Sequence, residues 1–298
     1  MESDEASALP IIDLLWNYTD PAGTEAKFVA LLPQARASGN AEYLAQLLAQ
    51  VARAQGLQLR FDAAHATLDE ADAITGPDIS AMKVARVRGL LERGRLHNSA
   101  NAPELSITPF KEALDLAEAA RIEVLAVDAA HMLGIATRGD DSIAWNRRGL
   151  EMAQAAQDPR ARAWRAALAN NLAWTYYDLG RHEDALDAFR VSLAVEAERN
   201  NAFRAGIAQW SIGKTLRAMG RTDEALALQQ EVLTRPERKD NAAEGYSHEE
   251  IGECLLFLGR EAEAKPHFAR AWELLHNDVW LQRDEPQRVD RLQQLGTA

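Results

Sequence analysis

The chain has 298 residues, 47% of them hydrophobic and 26% charged, which supports a folded body and excludes a largely disordered one. Its net charge of −12 repels phosphate backbones and anionic headgroups, so neither nucleic acid nor a membrane surface is an expected partner. One cysteine excludes an internal disulfide and a multi-cysteine metal site. No apolar run approaches the roughly 18 residues of a membrane span. The opening Met1-Glu2-Ser3-Asp4-Glu5 is the reverse of a basic secretory leader, so a cytoplasmic location is expected.

In chain order, Ile11, Ile12, Leu14, Leu15 and Trp16 precede a turn at Asp20-Pro21-Ala22-Gly23 and a helix over Thr24–Ala37, kinked or ended near Pro33. A hairpin starts at Glu42, turns at Gly56 and continues through Ala64, Leu68 and Ala71. A second starts at Arg88-Gly89. Its turn is stretched by Arg95–Thr108, whose Asn, Ser and Pro predict a surface loop before a helix over Pro109–Ala120. A third runs through Leu133-Gly134, turns at Gly139-Asp140-Asp141 and continues through Ala144, Leu150 and Ala153.

The next three copies align without gaps on Leu179-Gly180-Arg181, Met219-Gly220-Arg221 and Leu258-Gly259-Arg260, so the period is 40 and then 39 residues. A small residue lies seven before each turn glycine (Ala173, Gly213, Gly252), where two helices must approach closely. Another lies five after it (Ala185, Ala225, Ala264). Glu285–Leu295 reads as a polar closing helix. The expected organisation is one domain over 1–298: capping helices over 1–41, six hairpins over 42–275 and a capping helix over 276–298.

No reaction centre emerges. His65, His97, His131, His182, His248, His267 and His276 fall at no metal-ligand spacing, and no glycine-rich phosphate loop follows a strand, so no catalytic residue, metal or cofactor is expected. Asp140-Asp141 reads as helix capping, Glu249-Glu250 as a solvated face and Cys254 as a buried thiol.

These repeats resemble the tetratricopeptide repeat, most closely over Ala166–Leu275, in the longer-period variety of bacterial and kinesin-light-chain-like members. The resemblance implies an all-α, right-handed superhelical solenoid whose first helices line a concave face that binds extended peptides or helices. It also implies a protein-binding adaptor or scaffold and no enzyme. Counted from the small core positions, that lining includes Arg53, Lys83, Arg86, Arg93, Arg138, Asn170, Trp174, Tyr177, Trp210, Lys214 and Arg217. These residues predict a basic channel with an aromatic patch, suited to an acidic segment or a C-terminal carboxylate with an apolar anchor. The alternative is that the cations pair with acids of neighbouring hairpins and the aromatics pack between repeats. Asn171 matches one position of the family's chaperone-tail clamp, but His131, Ile135, Ile207 and Ser211 stand where basic partners belong. Two further readings remain: a homodimer through Ile11–Trp16 or Trp272–Trp280, and an enzyme using His131 beside Arg138.

Overall fold

The computed structural model describes residues 9–78, 80–239 and 241–297, and among them every regular element is helical. The contacts divide the chain into two compact units, Met1–Trp164 and Arg165–Ala298.

In the first unit, a 3-10 turn Ile12–Leu15 precedes α1 (Pro21–Ala37). Three hairpins follow: α2 (Ala41–Leu57) with α3 (Phe61–Thr75), α4 (Lys83–Ser99) with α5 (Pro103–Ala119), and α6 (Glu123–Ala136) with α7 (Gly139–Ala155). The short α8 (Pro159–Arg162) ends the unit. The second unit holds α9 (Arg165–Asp178) with α10 (His182–Glu198), α11 (Ala202–Ala218) with α12 (Thr222–Leu233), and α13 (Ala242–Phe257) with α14 (Glu261–Leu275). It closes with α15 (Val279–Asp284) and α16 (Pro286–Thr297). Six hairpins therefore stand among the described residues, flanked by α1 and α16.

One device ends most first helices. Gly180, Gly220 and Gly259 take φ of +71°, +78° and +71°, and the following arginine amide donates back to the carbonyl five residues earlier (Arg181 to Tyr176, Arg221 to Leu216, Arg260 to Leu255). This is the Schellman helix end. Leu59 and Asn101 build the same turn without glycine, at φ of +62° and +60°.

Those two turns correct the sequence reading. Gly56 is not the turn of the first hairpin: it lies inside α2, where a Cβ would stand 2.5 Å from Leu96 Cδ2. Arg95–Thr108 is not a surface loop either, because α4 runs to Ser99 and α5 begins at Pro103. Pro103 suits the first position of α5, whose amide needs no partner, and Pro109 is carried inside the helix. Pro33 is likewise carried inside α1, which runs on to Ala37.

The core repeats as well. Phe28, Phe110, Phe189 and Phe268 are fully buried, and the rings of Phe110 in α5 and Phe268 in α14 are each seated on a glycine of the facing helix, α4 or α13. A Cβ on Gly94 would stand 2.4 Å from Phe110, and one on Gly252 would stand 2.8 Å from Phe268. Each such contact joins positions sixteen apart, which fixes the register of the hairpin.

Candidate binding faces on the first helices

The left-handed turn residue lies seven after the small core position at Ala173/Gly180, Gly213/Gly220 and Gly252/Gly259. The same offset from Asn101 leads to Gly94, whereas the sequence-based row in α4 was counted from Gly89. The consequence is visible in the side chains. Arg93 turns to α3, donating to Asp69 and Asp72 at 3.0 and 2.7 Å. Arg86 caps the C-terminal end of α3, donating to the carbonyls of Thr75, Gly76 and Asp78.

Arg95, which the sequence reading missed, shares a polar row with Arg53. Arg53 donates to Glu92 at 3.1 Å, Arg95 donates to Glu92 at 2.7 Å, and Arg95 grips both Asp128 oxygens at 2.5 and 2.7 Å. The row thus runs from α2 through α4 to α6. Burial would raise the Asp128 carboxyl, but Arg95, then Arg53, outweigh it and hold it below the ordinary range. His131 packs on Trp164 at 4.9 Å between ring centroids, with its Nδ1 enclosed and unpartnered. Burial pushes that imidazole down to about 4. Lys83 and the exposed Arg138 make no ion pair among the described residues.

In the second unit the predicted residues come together. Trp174 of α9 lies 6.0 Å from Trp210 of α11, which lies 6.1 Å from Tyr246 of α13. Tyr177 packs edge-on against Trp174 at 5.4 Å, and the Trp210 indole donates to the Tyr246 carbonyl at 3.0 Å. Asn170 is half-buried one turn before Trp174. Lys214 lies 5.3 Å from the Trp210 ring and donates to Glu250 at 3.0 Å; Arg217 donates to the same carboxylate at 2.9 and 3.2 Å.

Glu249 and Glu250 are therefore not a solvated face. They are 5% and 1% exposed, and each is paired with a cation: Glu250 with Lys214 and Arg217 of α11, Glu249 with Arg288 of α16. Burial would raise the Glu250 carboxyl, but Lys214 and Arg217 hold it below its usual value. Glu249 accepts both donors of Arg288 in α16 at 2.7 and 2.6 Å, and Arg291 pairs with Glu253. Tyr246, counted from the sequence into the lining of the sixth hairpin, joins the row beside Trp210. Arg288 and Arg291 were also missed, because nothing in the segment of α16 marked the partner.

Elsewhere, Asp140 and Asp141 lie in the first turn of α7 without a side-chain capping bond. Cys254 is buried, and burial pushes its thiol up to about 12. Among the described residues no group of three His, Cys, Asp or Glu is placed to hold a metal, and no helix is long and apolar enough to cross a membrane.

A tetratricopeptide repeat profile matches residues 165–199 and 211–238. Those spans are the fourth hairpin, where the aromatic row begins at Trp174, up to Arg199, and most of the fifth. Over these residues the chain carries tetratricopeptide repeats. Among solved structures, it is similar to a signal transduction ATPase with a tetratricopeptide repeat sensor from Pyrococcus horikoshii, at 14% identity and a TM-score of 0.65. The match covers 91% of this chain and 42% of that one, so the chain spans well under half the length of that relative. A tetratricopeptide repeat protein from Parabacteroides merdae matches over 96% of this chain and 97% of its own, at 16% identity and a TM-score of 0.56. NprR, solved in complex with its cognate peptide NprX, matches over 93% and 83%, at 12% identity and a TM-score of 0.53. These likenesses are of fold. No curated protein matches the sequence.

Proposed function

We propose that the chain is a cytoplasmic, non-enzymatic adaptor or scaffold that binds a protein or peptide along its first-helix faces. The observation that carries this reading is the row Trp174, Trp210 and Tyr246 on three successive first helices, half-buried and edged by Lys214 and Arg217. Aromatic side chains on a rigid scaffold supply contact area at small entropic cost and dominate binding energy at interfaces. The complex of NprR with its peptide and the tetratricopeptide sensor of the Pyrococcus ATPase lend the reading support by likeness of fold.

The chemistry of the partner follows from what surrounds the row. Lys214 and Arg217 already share Glu250, so an added carboxylate gains a partly neutralised pair, on the order of 1 kcal/mol, and the larger share of affinity belongs to the apolar anchor. An acidic segment with one aromatic or aliphatic anchor fits this face.

The test is a pull-down from the source cytoplasm with wild type and Trp174→Ala, each checked by circular dichroism and thermal melting. Loss of a captured protein by a folded Trp174→Ala supports the aromatic row. Equal capture by both overturns it and moves the site elsewhere on the chain.

A further inference from the structure

The first-helix face of the first unit is not bare. Residues 9–18 lie across α2 and reach α4, where Pro10, Ile12, Asp13 and Trp16 each meet a matched group. The Pro10 carbonyl accepts from the Tyr43 hydroxyl at 2.9 Å. Ile12, 6% exposed, packs with Phe28, Leu47 and Val51. Asp13 accepts from Arg88 at 2.7 Å, across 75 residues of sequence. The Trp16 indole donates to the Gln50 side chain at 2.8 Å. Trp16 stacks on Tyr18 at 4.7 Å, and the Arg53 guanidinium lies 5.7 and 5.4 Å from the two ring centroids.

A plain end cap would turn its polar groups to water and its apolar ones inward. This segment departs from that pattern. Asp13, its side chain 44% exposed, still reaches Arg88, and the indole N–H turns to Gln50, while beside the buried Ile12 the apolar Ile11, Leu14 and Tyr18 are 66%, 78% and 60% exposed. The segment also has little backbone structure of its own beyond one 3-10 turn, so side chains hold it in place. Its chemistry, an acidic residue among apolar and aromatic anchors, is what the predicted groove was expected to take.

We infer that residues 9–18 are a ligand in cis: they fill a peptide-binding face on α2 and α4, and that face also takes a partner segment of the same chemistry, an aspartate flanked by aliphatic residues with a tryptophan three positions later. The inference rests on the peptide-binding reading above but uses a different face. The tether is short. Asn17 is tied to Thr24 through its amide and its carbonyl at 3.1 and 3.0 Å, so the segment stays beside its site. Its effective concentration is in the millimolar range, and an incoming segment sees only the fraction of molecules in which the strap is released.

The experiment uses the full chain and a labelled synthetic peptide with the sequence of residues 9–20. Asp13→Ala with Trp16→Ala weakens the strap without touching the receiving face. The expected result is binding at least about tenfold tighter than to wild type, because a larger fraction is open. Adding Arg88→Glu abolishes that gain, and a peptide with lysine in place of its aspartate recovers it. A folded strap variant that does not bind the peptide overturns the inference. Should that variant not fold, hydrogen exchange on wild type decides. Amides of residues 14–18 exchanging by local opening while α2 stays protected support a releasable strap, and exchange only on global unfolding overturns it. If the peptide fails and Trp174→Ala still loses its captured partner, the strap inference alone falls.

Discussion

Gly89 and Gly94 lie five residues apart in the same helix, and only one of them is required by packing. A Cβ on Gly89 would meet Asp72 Oδ1 at 3.6 Å, ordinary contact, whereas one on Gly94 would stand 2.4 Å from the Phe110 ring. Gly94→Ala is therefore expected to lower stability by about 1–3 kcal/mol as the ring is forced from its seat. Gly89→Ala is expected to be neutral or to raise stability by up to about 1 kcal/mol, since alanine is the better helix former. Denaturant midpoints of the two variants check this, and equal losses would reject the pairing of Gly94 with Phe110 as the register of α4 on α5. The same pair shows why the site was only partly legible. In the second unit Gly213 and Gly252 precede glycine turns, so the row could be counted from the letters alone. In α4 two glycines competed and the turn was Asn101, so the count started from Gly89 and passed over Arg95 in favour of Arg93.

Helical hairpins were legible as elements wherever a glycine marked the turn, and misplaced where another residue occupied that conformation. Leu59 and Asn101 are held at positive φ by the Schellman bonds that follow, Arg60 to Gln55 and Ala102 to His97, each at 3.0 Å. A side chain there costs about 1–2 kcal/mol relative to the right-handed region, and asparagine bears the cost better than leucine. Tertiary packing of α2 on α3 and α4 on α5 overrides that local preference. Leu59→Gly is thus expected to be neutral or to stabilise by up to about 1 kcal/mol, and Gly220→Leu to destabilise by about 1–2 kcal/mol, read as shifts in thermal midpoint. A marked loss in Leu59→Gly would mean that its side chain, 36% exposed, contributes packing that the turn needs.

Across the chain as a whole, the net charge of −12 said little about where its cations would go. In each unit they partner buried acids: Arg53 and Arg95 hold Glu92 and Asp128, and Lys214 and Arg217 hold Glu250. A single sequence does not show such pairs between helices, because, apart from Arg95 and Glu92 three positions apart on α4, the residues that meet are 33 to 39 positions apart. This arrangement sets the response to acid. Burial lowers His131 to about 4 in the first unit; in the second, burial and then His267, 2.8 Å away between Nδ1 atoms, lower His248 to about 4. Around His131 stand Asp128, Arg95 and Arg53, and around His248 stand His267, Glu244 and Arg270. Both folded values lie below the unfolded 6.5, so the fold favours the neutral ring. That contribution is complete above 6.5 and is lost as pH falls toward 4, because the unfolded chain then binds more protons. The carboxylates Asp128 and Glu250 have lowered values, so their share is lost only further down, as pH passes through those values. Stability is expected to fall between pH 6.5 and 4 with a slope approaching about 1.4 kcal/mol per pH unit for each buried histidine. His131→Phe keeps the ring against Trp164 and removes the titrating group, so its denaturation midpoint should fall less steeply over that window than that of wild type. Parallel profiles would show that His131 titrates alike in the folded and unfolded chains, and the acid response would then rest on the other groups.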